Sequence, residues 1–287
     1  MHAPRIFPIA LFTMTSMLAS SAQTQQAPAK PLPDVHELMK EVDQHQKQLD
    51  KVRENYTFIS SQTTEDIDAK GHVTKTEMRE VEIFFVNGHE IGRLVKKDGK
   101  PLDENEQKKE SERVTKAVEK AQQPEKEKEK EKEEKNEITL RDVLDVMEVR
   151  NPRRELYRGR PTIVFDFVGR KNVKTHGMAE DVSKKLQGTL WVDEADREVA
   201  HLDVSFNDNF HVAGGLVANI EKGSNFHFDQ APVNGEIWFP TGGEGTVALR
   251  LFLVKGIRQH FVGRYYGFQR FHVVAEQGKE GTVVEKK

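Results

Sequence analysis

Cysteine is absent from the 287-residue chain. That removes disulfides, thiolate nucleophiles, cysteine zinc sites and iron–sulfur clusters together. Long hydrophobic runs are also missing. Hydrophobic residues make up 36% of the chain and charged residues 32%. No apolar stretch reaches the roughly 18 residues that a membrane-spanning helix needs. Charge of one sign is lacking too: 44 Lys and Arg face 47 Asp and Glu, a net charge of -3, which gives no electrostatic case for nucleic-acid binding. The common catalytic signatures do not occur. There is no glycine-rich phosphate loop, no dinucleotide fingerprint, no nucleophile elbow and no SxxK. His36-Glu37 and His89-Glu90 each begin a zinc-protease pattern, but Lys40 and Arg93 stand where the second histidine belongs.

What is present begins with an address. Arg5 and the amino terminus precede a largely apolar segment, Ile6 to Leu18, followed by Ala19-Ser20-Ser21-Ala22. This is the layout of a secretory signal peptide over 1–22, with Ser20 and Ala22 fitting the −3 and −1 pockets. With no cysteine at the cleavage point for a lipid anchor, the expected product is soluble, bacterial, and periplasmic or secreted. Gln23 to Pro33 reads as a linker over 23–33.

One domain is expected over 34–276, with a polar tail over 277–287. Asp34 and Glu37 form a capping-box pattern, and Val35, Leu38, Met39, Val42, Leu49 and Val52 follow helical spacing to about Glu54. The pattern then turns to period two. Tyr56 to Ile59, Val73 to Val86 and Ile91 to Lys97 read as strands joined at Asp68 to Gly71 and at Asn87-Gly88, with Asp98-Gly99 closing the set. Residues 103–135 are a charged insertion of 12 acidic and 10 basic residues, split by Pro124. It reads as solvated and partly helical, or alternatively as a docking arm. Asn136 is expected to cap a second helix, Glu137 to Val149. From Thr162 onward strands recur, and Ala200, Leu202, Val204 and Phe206 alternate cleanly with His201, Asp203 and Ser205. Turns are expected at Gly214-Gly215, Gly223-Ser224, Asn234-Gly235 and Gly242-Gly243.

About ten strands and two helices, with strands following one another directly, imply a mainly β, α+β fold. A long antiparallel sheet must curl or close. The expected architecture is a half-open curved antiparallel β-barrel with both helices over its concave side. Ile83, Phe85, Phe165, Phe167, Leu190, Leu202, Val204, Leu249 and Leu251 are the candidate ligand-binding residues of an apolar cavity between sheet and helices. His201, His211, His227, His260 and His272 lie in the strand region at spacings ordinary for surface positions. No catalytic residue, metal ligand or cofactor is assigned.

Several segments carry a family likeness: Arg158-Gly159-Arg160-Pro161-Thr162 through Phe167, Gly188-Thr189-Leu190-Trp191-Val192-Asp193, Gly235-Glu236-Ile237-Trp238-Phe239-Pro240, and Tyr265-Tyr266-Gly267-Phe268. Together they resemble the outer-membrane lipoprotein-sorting superfamily of LolA/LolB-like periplasmic carriers, nearest to its exported bacterial relatives of uncharacterised function. The resemblance implies a half-open barrel capped by helices, with a cavity for acyl chains. The partner it implies is a hydrophobic ligand, a lipid or acyl chain, or a lipoprotein. The alternative is an envelope sensing or protein-interaction module, with an envelope protein as partner. A hydrolase or isomerase built from dispersed histidines and carboxylates is the third reading.

Overall fold

Period-two patterning and four tight turns build most of this fold. At Asn87-Gly88, Asp98-Gly99, Arg158-Gly159 and Asn234-Gly235 both residues take positive φ, between 49° and 84°. In the first three this is the twist-matched two-residue hairpin turn, in which glycine and asparagine are tolerated best, while Asn234-Gly235 opens a three-residue connection, 234–236, between Val233 and Ile237. Arg158 takes φ 49° without being Asn or Gly, so this turn is signalled in the sequence only by the glycine after it.

The computed structural model describes residues 31–123, 145–212, 217–252 and 255–271. The expected signal peptide, turn Gly214-Gly215, polar tail and residues 137–144 of the second helix lie outside these. From Leu32 onward the described residues belong to one compact unit. Thirteen strands form one antiparallel sheet: β1 Tyr56–Ile67, β2 Val73–Val86, β3 His89–Lys97, β4 Lys100–Pro101, β5 Met147–Tyr157, β6 Arg160–Gly169, β7 Leu186–Asp193, β8 Val199–Phe206, β9 Phe210–Val212, β10 Ala218–Ile220, β11 Asn225–Val233, β12 Ile237–Leu251 and β13 Lys255–Arg270. The order is β4-β3-β2-β1-β13-β12-β11-β8-β7-β6-β5, with β9 and β10 attached beside β12. Among the described residues the sheet does not close: β4 and β5 are its two ends. This is the expected curved, open antiparallel architecture, with thirteen strands instead of about ten.

Helix α1, Val35–Arg53, starts where expected, because the Asp34 carboxylate accepts the backbone N–H groups of His36 at 2.9 Å and Glu37 at 3.1 Å. Its apolar stripe packs on one face of the sheet, below called the α1 face. Val35, Leu38, Met39 and Val42 join Ile163, Phe165, Phe167, Leu190 and Val192 in one core cluster. Leu49 and Val52 join Tyr56, Phe58, Ile83, Ile237 and Phe239 in a second. One helix therefore ties together strands from both halves of the sheet.

The first half of the charged insertion is helix α2, Glu104–Gln122, opened by a complete capping box between Asp103 and Glu106. Val114 and Ala121 pack on Ile91, Phe84 and Val86. Phe84 and Val86 alternate with Ile83 and Phe85 along β2, so α2 lies on the sheet face opposite α1. It also covers the open side of β3. The Leu94 N–H donates to Glu110 Oε1 at 2.6 Å, and Arg113, itself paired with Glu110 at 2.6 Å, donates to the Gly92 carbonyl. An exposed strand edge invites pairing with other chains; here side chains of α2 occupy its main-chain groups.

Two expectations require correction. Met147 to Val149, read as the end of a helix, opens strand β5. The apolar Val146 and Met147 fit a buried strand start as well as a helix, and over so short a run periodicity cannot separate the two. Gly242-Gly243 is not a turn but lies inside β12, which runs unbroken to Leu251. These glycines serve close approach. A Cβ on Gly243 would sit 3.2 Å from the Phe226 ring, and one on Gly245 would sit 2.6 Å from the Phe261 ring and 2.4 Å from the Asn225 carbonyl oxygen.

Candidate functional site

Two regions combine exposure with concentrated side-chain chemistry, one on each face. On the α1 face, the expected cavity residues divide into three groups. Phe165, Phe167 and Leu190 are buried beneath the first half of α1, with Leu202 and Val204 packed against them. Ile83 and Phe85 belong to the second cluster. Leu249 and Leu251 lie further along β12, half-buried and outside both clusters.

Between these groups runs an apolar strip that α1 does not bury. Val204 stands opposite Phe226, Leu202 opposite Phe228, and Gly245 between Phe226 and Phe261. Phe226 stacks with Phe228 at 6.2 Å and with Phe261 at 5.9 Å between ring centroids. All three rings are half-buried, and those of Phe226 and Phe261 lie over the bare backbone of Gly243 and Gly245. Sequence reasoning placed Leu202 and Val204 here but missed the phenylalanines. Their period-two spacing at 226 and 228 was legible; their meeting with Phe261 depends on the β11–β12–β13 register.

The seat of α1 beside this strip contains a buried carboxylate. Glu198 has no exposed surface. Its two oxygens meet His45 Nδ1 at 3.0 Å and Gln46 Nε2 at 3.2 Å. Burial pushes its pKa above the usual glutamate value, against the lowering pull of Gln46 and His45. Arg197, at φ 56°, reaches Glu41 of the same helix at 2.6 Å. The preceding turn is held by Asp193, 1% exposed, which accepts the N–H groups of Ala195 and Asp196 and pairs with Arg160 at 2.5 Å. Burial alone would raise the Asp193 pKa, but Arg160 and the turn amides hold it below the ordinary aspartate value.

The opposite face carries polar chemistry. Strands β5, β6, β7, β8 and β11 floor a groove of about 530 Å3, lined among others by Asn151, Asp166, Gln187, Thr189, Asp203 and Asn225. Asp166 accepts from Asn151 at 2.9 Å, Thr189 at 3.0 Å and Arg153 at 3.2 Å, and these bonds, Asn151 first, hold its pKa down against burial. One step along the same strands stands an aromatic array. His201 stacks on Tyr157 at 5.0 Å and meets Trp191 edge-on at 4.8 Å. Asp229 organises it, accepting from the Tyr157 hydroxyl and lying 2.8 Å from His201 Nδ1 and 3.0 Å from the Arg158 guanidinium. Burial and the Asp229 bond push the Tyr157 pKa up to about 12. The Asp229 pKa is lowered: burial works against this, and the Tyr157, His201 and Arg158 contacts outweigh it. Of the strand-region histidines, His201 and His227 are 6.1 Å apart. His260 sits elsewhere, between Glu65 and Glu244 at 3.3 and 3.2 Å. His272 lies outside the described residues. Among the described residues no group of three or more His, Asp or Glu is arranged to hold a metal ion, and no helix is long and apolar enough to cross a membrane.

Comparison with known proteins returns structures only. No family model matches the chain, and no curated protein matches it in sequence. The chain is similar to a domain assigned to outer membrane lipoprotein sorting from Vibrio parahaemolyticus, at 11% identity and TM-score 0.33, over 83% of this chain and 95% of that one. It is also similar to a DUF1329 family protein from Desulfovibrio piger, at 11% identity and TM-score 0.31, over 82% and 91%. A third likeness is to MucB in complex with MucA(peri), at 9% identity and TM-score 0.22, over 78% and 94%. The first bears the description that the sequence motifs also resemble. At these identities and scores the likenesses carry no functional argument, which rests below on the chain's own geometry.

Proposed function

We propose that this chain is a non-catalytic periplasmic carrier or binder of an acyl chain, free or borne by a lipoprotein, and that the ligand lies on the α1 face. The observation that supports this reading is the half-buried strip of Phe226, Phe228 and Phe261, which continues the first core cluster outward from Leu202 and Val204 at its edge. Each methylene withdrawn from water there contributes about 0.8 kcal/mol. A chain laid along the strip thus gains affinity from length alone, without any reacting group.

The test is organic extraction of protein purified without detergent, followed by mass spectrometry. Acyl-bearing species are expected in stoichiometric amount from the wild type, and at least tenfold less from Phe226→Asp. Native protein that yields no lipid under these conditions, and shows no saturable fatty-acid binding, overturns the reading.

A further inference from the structure

We propose that the groove on the opposite face is a second ligand site, and that it takes a neutral, hydroxyl-rich ligand: a short oligosaccharide. The lining selects this class. Anions are disfavoured, because Asp166 and Asp203 both line the groove. The nearest guanidiniums are committed, Arg150 to Glu148 at 2.9 Å and Arg153 to Glu155 and Asp166 at 2.5 and 3.2 Å. Simple cations find little net charge, since Asp166 is already satisfied three times over. What remains on offer is neutral hydrogen-bonding capacity. The side chains of Gln187 and Ser205 make no hydrogen bond among the described residues, and both line the groove. Amides and hydroxyls both donate and accept, as sugar hydroxyls do.

The aromatic array supplies the second half of the argument. Trp191 is two residues along β7 from Thr189, and His201 two along β8 from Asp203, in register. The array therefore begins roughly 7 Å beyond the groove. The Trp191 indole N–H is tied to Glu155 at 3.3 Å, and Tyr157 and His201 brace its ring, so Trp191 is a fixed, half-exposed apolar plate. A plate beside a polar groove suits a ring with an apolar face and hydroxyl edges. At the other end, Val168 and Gln187 also line a second cavity of about 1130 Å3, which leaves room for more than one ring.

The groove's lining also includes Val204 and Phe226 of the acyl strip, but along β8 and β11 these alternate with Asp203, Ser205, Asn225 and His227 and so belong to the other face of the sheet; neither proposal depends on the other. The full chain is to be titrated with cellotetraose, maltotetraose and chitotetraose by calorimetry, with tryptophan emission followed in parallel. At least one sugar is expected to bind saturably. Trp191→Ala should weaken it tenfold or more, and Gln187→Ala three- to tenfold, with unchanged circular dichroism and unchanged acyl content. In Trp191→Phe the emission change should vanish while the heat persists, because the remaining Trp238 is buried. The proposal is overturned if no sugar binds, if Trp191→Ala binds as the wild type does, or if oligolysine perturbs Trp191 where the sugars do not.

Discussion

At the scale of single residues, the most informative groups are two carboxylates whose burial has opposite consequences. Glu198 is held above its ordinary pKa, so the folded state binds its proton more tightly than the unfolded chain does. Its contribution is most favourable at low pH and declines as pH rises from about 4.3 through the folded value. Glu198→Gln should flatten that stretch of the stability profile, measured as melting temperature against pH. A wild-type slope retained in the variant would assign it to another group. Asp193 runs the other way. Its depressed pKa makes its contribution fully present above about 3.9 and lost as pH falls through the folded value. Asp193→Ala removes the Arg160 pair and two turn amides at once, and should cost about 2–3 kcal/mol in denaturant unfolding at pH 7.

At the scale of elements, β12 and α2 show where sequence reading succeeds and where it stops. Helix α1 was legible to within a residue at each end, because its cap and its stripe are local. The Asn87-Gly88 hairpin was legible for the same reason. The glycines of β12 were not: a Gly-Gly pair reads as a turn unless one knows that β11 and β13 send phenylalanine rings across it. The candidate sites share that limit. Leu202 and Val204 could be named from alternation alone. Trp191, His201 and Asp229 meet only through pairings across β7, β8 and β11, so their array was invisible. Gly245→Ala should destabilise by about 1–3 kcal/mol from overpacking, and Gly243→Ala by less, since its clearances are 3.1 and 3.2 Å. Helix α2 was read as a solvated insertion, and most of its surface is charged. Besides the packing of Val114 and Ala121, one pair, Glu110 and Arg113, engages the main chain of β3. The Glu110→Ala, Arg113→Ala double variant should raise amide exchange at Leu94 at least tenfold, with β1 exchange unchanged. Equal acceleration in both strands would mean that the pair supports the whole sheet and not its edge.

At the scale of the molecule, the sheet's middle seam joins the first strand to the last, with Tyr56 opposite Arg270 and Asp66 opposite Gln259. Such distant pairing favours slow folding, in the millisecond-to-second range. A chain ending at residue 254 would leave β1 and β12 as raw edges and is expected to aggregate, judged by light scattering and loss of the β-sheet circular dichroism signal.

That seam also sets an order of events in synthesis. Because β1 waits for β13, a chain emerging amino end first cannot complete its sheet until almost every residue has been made. Until then β1 and β12 both lack the neighbour they share, and the two halves of the sheet stay unjoined.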